Sequence, residues 1–73
     1  MLIALTTSAA ATAATELTIE EIIAISRDNG IESFREVERD DAHWEVEGRD
    51  VDGRQIELDI DARTGEILEI DRD

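Results

Sequence analysis

Seventy-three residues suffice for one small domain, and twenty acidic against seven basic side chains set its formal net charge at −13. The absence of Cys excludes a disulfide framework, a thiolate zinc site and a cysteine nucleophile. One His cannot build a multi-histidine metal centre, and so strong an acidic excess argues against a nucleic-acid binder, whose phosphate contacts come from Lys and Arg.

A chain of this length buries only about 60% of its unfolded surface, so the core is thin and a deep pocket is not expected. All the basic residues are Arg, with no Lys. This composition has two readings, general solubility in a salty or high-GC background and attraction of a cationic partner.

Residues 1–15, MLIALTTSAAATAAT, carry no charged side chain, and every charge lies in residues 16–73. The apolar run Leu2-Ile3-Ala4-Leu5 is followed by Ala-x-Ala steps at Ala9–Ala11 and Ala11–Ala13. This resembles the end of a secretory signal peptide cleaved near Ala13 or Ala14, although no basic residue follows Met1. A disordered or weakly helical Ala-rich tail is the other reading. Membrane insertion is not expected, because a spanning helix needs about 20 apolar residues.

Thr18-Ile19-Glu20-Glu21 fits a capping box, with the Thr hydroxyl and the Glu carboxylate satisfying each other's backbone donors. Ile19, Ile22, Ile23 and Ser26 share a helical stripe, and Asn29-Gly30 is a stop signal. A helix over 19–29 follows. It is too short to persist in water without packing on something.

Beyond Gly30 the period becomes two. Trp44 and Val46 alternate with Glu45 and Glu47; Ile56, Leu58 and Ile60 with Glu57 and Asp59; Leu68 and Ile70 with Glu69 and Asp71. Such alternation signals antiparallel strands with one wet face. A weaker strand covers Phe34 to Arg39. There Phe34 and Val37 have opposite parity, so either a bulge intervenes or Phe34 belongs to the entry loop.

Parity also sets the register. A three-residue loop Val51-Asp52-Gly53 pairs Asp50 with Arg54, and keeps the apolar positions of both strands on one side. A matching loop Arg63-Thr64-Gly65 pairs Ala62 with Glu66 and Ile60 with Leu68. Each loop ends on the Gly that such bends favour. A two-residue turn at Asp40-Asp41 would pair Val37 with Trp44.

The expected fold is α+β: one N-terminal helix packed on one face of a four-stranded antiparallel meander, forming a single domain over 16–73. Its core comprises Ile19, Ile22, Ile23, Val37, Trp44, Val46, Ile56, Leu58, Ile60, Leu68 and Ile70. On the opposite face the register aligns Glu45 with Asp59 and Glu69, and Glu47 with Glu57 and Asp71. Glu36 joins the first row if the first hairpin is tight.

Like charges placed directly opposite destabilise a sheet, and the Arg residues fall mostly at turns and strand ends. These six carboxylates are either a solvated, salt-screened face or a docking surface for a basic partner. They also suit loose divalent-cation binding.

Other motifs carry less. Asp50-Val51-Asp52-Gly53 has Gly fourth, where a calcium-binding EF-hand loop has it sixth. Asp59-x-Asp61 leads to Arg63 where a ligand belongs. Both read as hairpin turns. Paired carboxylates for glycoside hydrolysis need a cleft and a shielded acid. His43 stands at a strand start, where exposure is expected, and Ser8, Ser26 and Ser33 have no evident base. No catalytic, cofactor-binding or metal-ligating set emerges, and no cofactor is expected.

The order of features over about residues 17–71 resembles the PepSY domain family of peptidase propeptides. The features are Thr-Ile-Glu-Glu-Ile-Ile at the helix start, Trp44-Glu45-Val46-Glu47, Asp52-Gly53, and the run Ile56 to Leu68 with Asp61-Ala62-x-Thr64-Gly65-Glu66. The last is the most specific. The resemblance implies a cystatin-like unit working outside the cytoplasm, periplasmic or secreted, and without catalytic residues.

Together these readings point to a non-enzymatic exported interaction module that binds or restrains an extracytoplasmic protease or envelope protein. It would do so through the acidic face or an exposed sheet edge, at strand 34–39 or strand 66–71. The alternative is a low-affinity divalent-cation-binding or sensory protein.

Overall fold

The computed structural model describes residues 15–73. The expectations for the N-terminal stretch, a signal remnant or an Ala-rich tail, fall outside the described residues apart from Thr15.

Helix α1 spans Ile19–Asp28. Its capping box forms as read: Glu21 N donates to Thr18 Oγ1 at 3.1 Å, and Thr18 N donates to Glu21 Oε1 at 2.8 Å. At the far end Gly30 N donates to Arg27 O (3.0 Å) and Ile31 N to Ser26 O (3.1 Å). This is the paired closure of a Schellman motif, whose last residue is typically apolar and packs back on the helix. Ile31 obeys that rule and is buried.

Four strands follow in order β1 (Ser33–Asp40), β2 (His43–Arg49), β3 (Gln55–Asp61) and β4 (Ile67–Arg72). They form one antiparallel sheet in the order β1-β2-β3-β4. The β2–β3 hairpin matches the expectation. Asp50 N donates to Arg54 O and Gly53 N to Asp50 O, both at 2.9 Å, with Gly53 at φ 83°. Trp44 pairs with Ile60, and Val46 with Leu58.

The other two turns differ from the expectation. In β3–β4, Asp61 N donates to Glu66 O at 2.9 Å, so the loop has four residues, 62–65, rather than three. Ala62 is already engaged: its N–H donates to Ala42 O (3.0 Å) and its carbonyl accepts from Leu17 N (2.9 Å). It therefore does not pair with Glu66. Ile60 consequently faces Ile67, not Leu68, and the register shifts between Asp59 and Ile60. Beyond that bulge the expected pairs return, Asp59 with Glu69 and Glu57 with Asp71.

In β1–β2 the turn is Asp41-Ala42. Asp41 takes φ 53°, a left-handed conformation that Asp tolerates better than most residues. Val37 therefore pairs with Val46, and Arg39 with Trp44. A register shift between Phe34 and Glu36 places a bulge at Arg35, which resolves the parity conflict in this strand.

Ile22, Ile31, Val46, Ile56, Leu58 and Ile60 form one buried cluster. Leu17, Ile25, Phe34, Val37, Trp44 and Ile67 pack partly buried around it. Ile22 of α1 is thus in one cluster with residues of β2 and β3. Three expected core residues are exposed instead: Ile19 at 41%, Leu68 at 53% and Ile70 at 42%. Ile19 opens the first helical turn, Leu68 is displaced by the bulge, and Ile70 lies on a strand with no further strand beside it among the described residues. Ile31 and Ala62, absent from the expected core, are buried.

Candidate functional site

The face opposite the core is built by strand alternation alone. β2 and β3 expose odd-numbered residues there, and β4 continues them past its bulge. The β1–β2 turn brings Glu38 opposite Glu45 and Glu36 opposite Glu47. Glu38, rather than Glu36, therefore joins the first row.

Two rows of four carboxylates cross the whole sheet. One is Glu38–Glu45–Asp59–Glu69 and the other Glu36–Glu47–Glu57–Asp71. The six carboxylates singled out from the sequence, Glu45, Glu47, Glu57, Asp59, Glu69 and Asp71, all fall within these rows. Five of them, all but Glu47, line a surface depression.

Compensation is uneven. Gln55 Nε2 donates to Glu47 Oε2 at 2.7 Å, and Arg35 Nη1 lies 3.7 Å from Glu47 Oε1. His43 Nε2 is 3.6 Å from Glu45 Oε2. Among the described residues no salt bridge reaches Glu57, Asp59, Glu69 or Asp71. The Glu57 carboxyl is pushed above its ordinary range, first by desolvation and then by the like charges of Glu47, Asp59, Asp71 and Glu45. Glu57 therefore ionises less readily than an isolated glutamate.

The hairpin aspartates do a different job. Asp50 Oδ1 accepts from Asp52 N and Arg54 N, both at 2.8 Å. Asp61 Oδ1 accepts from Arg63 N (2.8 Å) and Thr64 N (2.9 Å). Backbone donors to a carboxylate favour its charged form. The Asp50 carboxyl is lowered chiefly by the Arg54 amide, and that of Asp61 by the Thr64 and Arg63 amides. These acids anchor their own loops, which agrees with reading them as turns.

Two features were not anticipated. Arg39 grips Glu16 in a fork, through Nη1 to Oε1 and Nη2 to Oε2 at 3.0 Å, and its guanidinium lies 6.0 Å from the Trp44 ring centroid. Trp44 is half-buried and its buried Nε1 has no hydrogen-bond partner among the described residues. Secondly, Asp40, His43 and Glu45 each place one ligand atom within 4.8 Å of the others. The tight turn that sets Asp40 opposite His43 creates this cluster, whereas a turn at Asp40-Asp41 would set Glu38 opposite His43. His43 is half-buried, not exposed.

A family model described as peptidase propeptide and YPEB domain matches residues 1–71. Searches of curated proteins and of solved structures find no match. With nearly the whole length matched, the chain belongs to the peptidase propeptide and YPEB domain family.

Proposed function

We propose, from that family membership as premise, that the chain is an exported, non-enzymatic interaction module of cystatin-like build. It binds and restrains an extracytoplasmic protease or another envelope protein, and the acidic sheet face is its docking surface. The observation that carries this reading is the block of Glu57, Asp59, Glu69 and Asp71, which lack basic partners among the described residues. Like charges in register weaken a sheet, so a partner bearing Lys or Arg relieves a strain already present in the free protein. No described helix is long and apolar enough to cross a membrane.

A triple variant, Glu45→Gln, Glu57→Gln and Asp59→Gln, tests the reading. Captured envelope proteins should be lost by the variant, and by the unmodified chain as salt rises, since exposed charge pairs are screened beyond about 8 Å at physiological ionic strength. Equal capture by the triple variant overturns the acidic-face reading.

The Asp40–His43–Glu45 cluster favours a second reading, low-affinity divalent-cation binding. Calorimetric titration with Ca²⁺ should then give heat that His43→Ala diminishes. The absence of heat at millimolar metal overturns it.

A further inference from the structure

Among the described residues the strand order leaves two sheet edges, β1 and β4, and they are not equivalent. β1 is interrupted by its bulge at Arg35. Its Arg39 side chain is tied to Glu16 and donates from Nε to Asp41 O at 2.9 Å. A bulge and committed charged side chains are devices that keep an edge from pairing.

β4 carries its bulge at Leu68, next to the loop, and its one tied side chain is Arg72 at the far end, which donates from Nη2 to Asn29 O at 3.3 Å. Between them Glu69 to Asp71 run regularly. Asp73 N donates to Gln55 O at 3.1 Å. Alternation along an antiparallel ladder then turns the backbone of Asp71 and Glu69 inward to β3. It turns the N–H and C=O of Ile70 and Arg72 outward. The exposed Leu68 and Ile70 lie in the same stretch as the uncompensated Glu69 and Asp71.

A second copy of this chain is a poor occupant. Pairing two β4 strands would bring the outermost carboxylates of both copies together between chains of net charge −13.

We infer that the β4 edge accepts an extended segment of a partner as a fifth, antiparallel strand, in which apolar residues alternate with Lys or Arg. Its apolar residues lie beside Ile70, and its cations stand opposite Glu69 and Asp71. Affinity comes from main-chain hydrogen bonds, and selectivity from the alternation. This rests on the acidic-face reading and adds to it a demand for backbone pairing.

In such a pair the residue opposite Ile70 shares its face and exchanges both hydrogen bonds with it. The apolar residues of the segment therefore direct their N–H groups at β4, and the basic residues direct theirs away. An acetylated, amidated hexapeptide of alternating arginine and valine is the probe, titrated into the full chain with amide exchange as the readout. Binding should slow exchange at Ile70 and Arg72. N-methylation of the valine amides should weaken binding roughly tenfold, since it removes paired donors, while N-methylation of the arginine amides should change it by less than about threefold.

Equal binding of both methylated peptides overturns the edge and leaves the acidic face standing as a purely electrostatic surface. If the Glu45/Glu57/Asp59 triple variant also binds them unchanged, the acidic-face reading falls as well. Slow exchange at Ile70 and Arg72 in the free chain overturns the inference too. Sedimentation then tells whether a second copy or the chain's own residues 1–14 occupy the edge.

Discussion

Along β3, Ile56, Leu58 and Ile60 are fully buried, while Glu57 and Asp59, one position out of step, stand among like charges on the other face. One strand thus serves two surfaces with opposite energetics. On one, every contact is gained by leaving water. On the other, the neighbours repel, and the register that perfects the core also crowds the carboxylates. Across β2, β3 and the regular part of β4 the acidic rows follow from core packing, because no register of these strands can bring the even positions to the core side without aligning the odd ones. In β1 the parity is reversed, with Val37 on the core side and Glu36 and Glu38 in the rows.

The contrast is sharpest for substitutions one residue apart. Leu58→Ala should cost about 2–5 kcal/mol, through lost burial and the cavity left behind, measured by denaturant melts. Glu57→Gln should instead raise stability at neutral pH. Loss of stability in the Gln variant would break the distinction between the faces.

The turns decide which residue reaches which face, so they come next in size. Gly53→Ala and Gly65→Ala each force a side chain into a left-handed conformation, at φ 83° and 80°, costing upward of about 1 kcal/mol. Gly65→Ala should cost more. A Cβ there would lie 2.8 Å from Ile25 Cδ1 and 3.1 Å from Leu17 Cδ1, whereas nothing lies within 4 Å at Gly53. Equal melting temperatures for the two variants would remove the role assigned to the β3–β4 loop in seating Leu17 and Ile25.

The pH dependence of Glu57→Gln follows from linkage. The folded-state pKa of Glu57 is raised above its ordinary 4.5, so its favourable contribution is complete below that value and is lost as pH rises through the folded pKa. The stabilisation by Gln should vanish in acid and grow towards neutrality. Asp50 and Asp61 act in the opposite sense. Their carboxyls are lowered from 3.8, so their contribution is present above that value and disappears as pH falls through the folded pKa.

The smallest expected effect is at the exposed Glu16–Arg39 fork. Glu16→Gln should speed exchange at the Leu17 amide while lowering the melting temperature less than either Gly variant. Exposed ion pairs contribute little to global stability.

The β2–β3 hairpin, the capping box and the sided alternation of Trp44 to Ile60 were legible because each rests on a local rule. The six central carboxylates were legible for the same reason. Parity fails where two solutions share it. A three-residue loop and a four-residue loop followed by a bulge both return Asp59 to Glu69, and only Ala62's bonds to Ala42 and Leu17 choose between them. Those bonds join distant segments that no local pattern displays.

Ile31 lies in no periodic run, yet an apolar residue directly after Asn29-Gly30 is the signature of a closing Schellman motif. The exposure of Ile70 depends on what lies beyond β4, which alternation does not encode. Asp41 in a left-handed turn sets Glu38 opposite Glu45 and Asp40 opposite His43, and that side chain's tolerance of positive φ was the available signal.

The crowding of the acidic rows is tested most directly by following the Glu57 side-chain carboxyl by NMR through an acid titration at low and at high salt. It should titrate above the ordinary glutamate value at low salt and move down towards that value as salt screens Glu47, Asp59, Asp71 and Glu45. Titration of Glu57 at or below the ordinary value, unmoved by salt, would contradict an uncompensated acidic face.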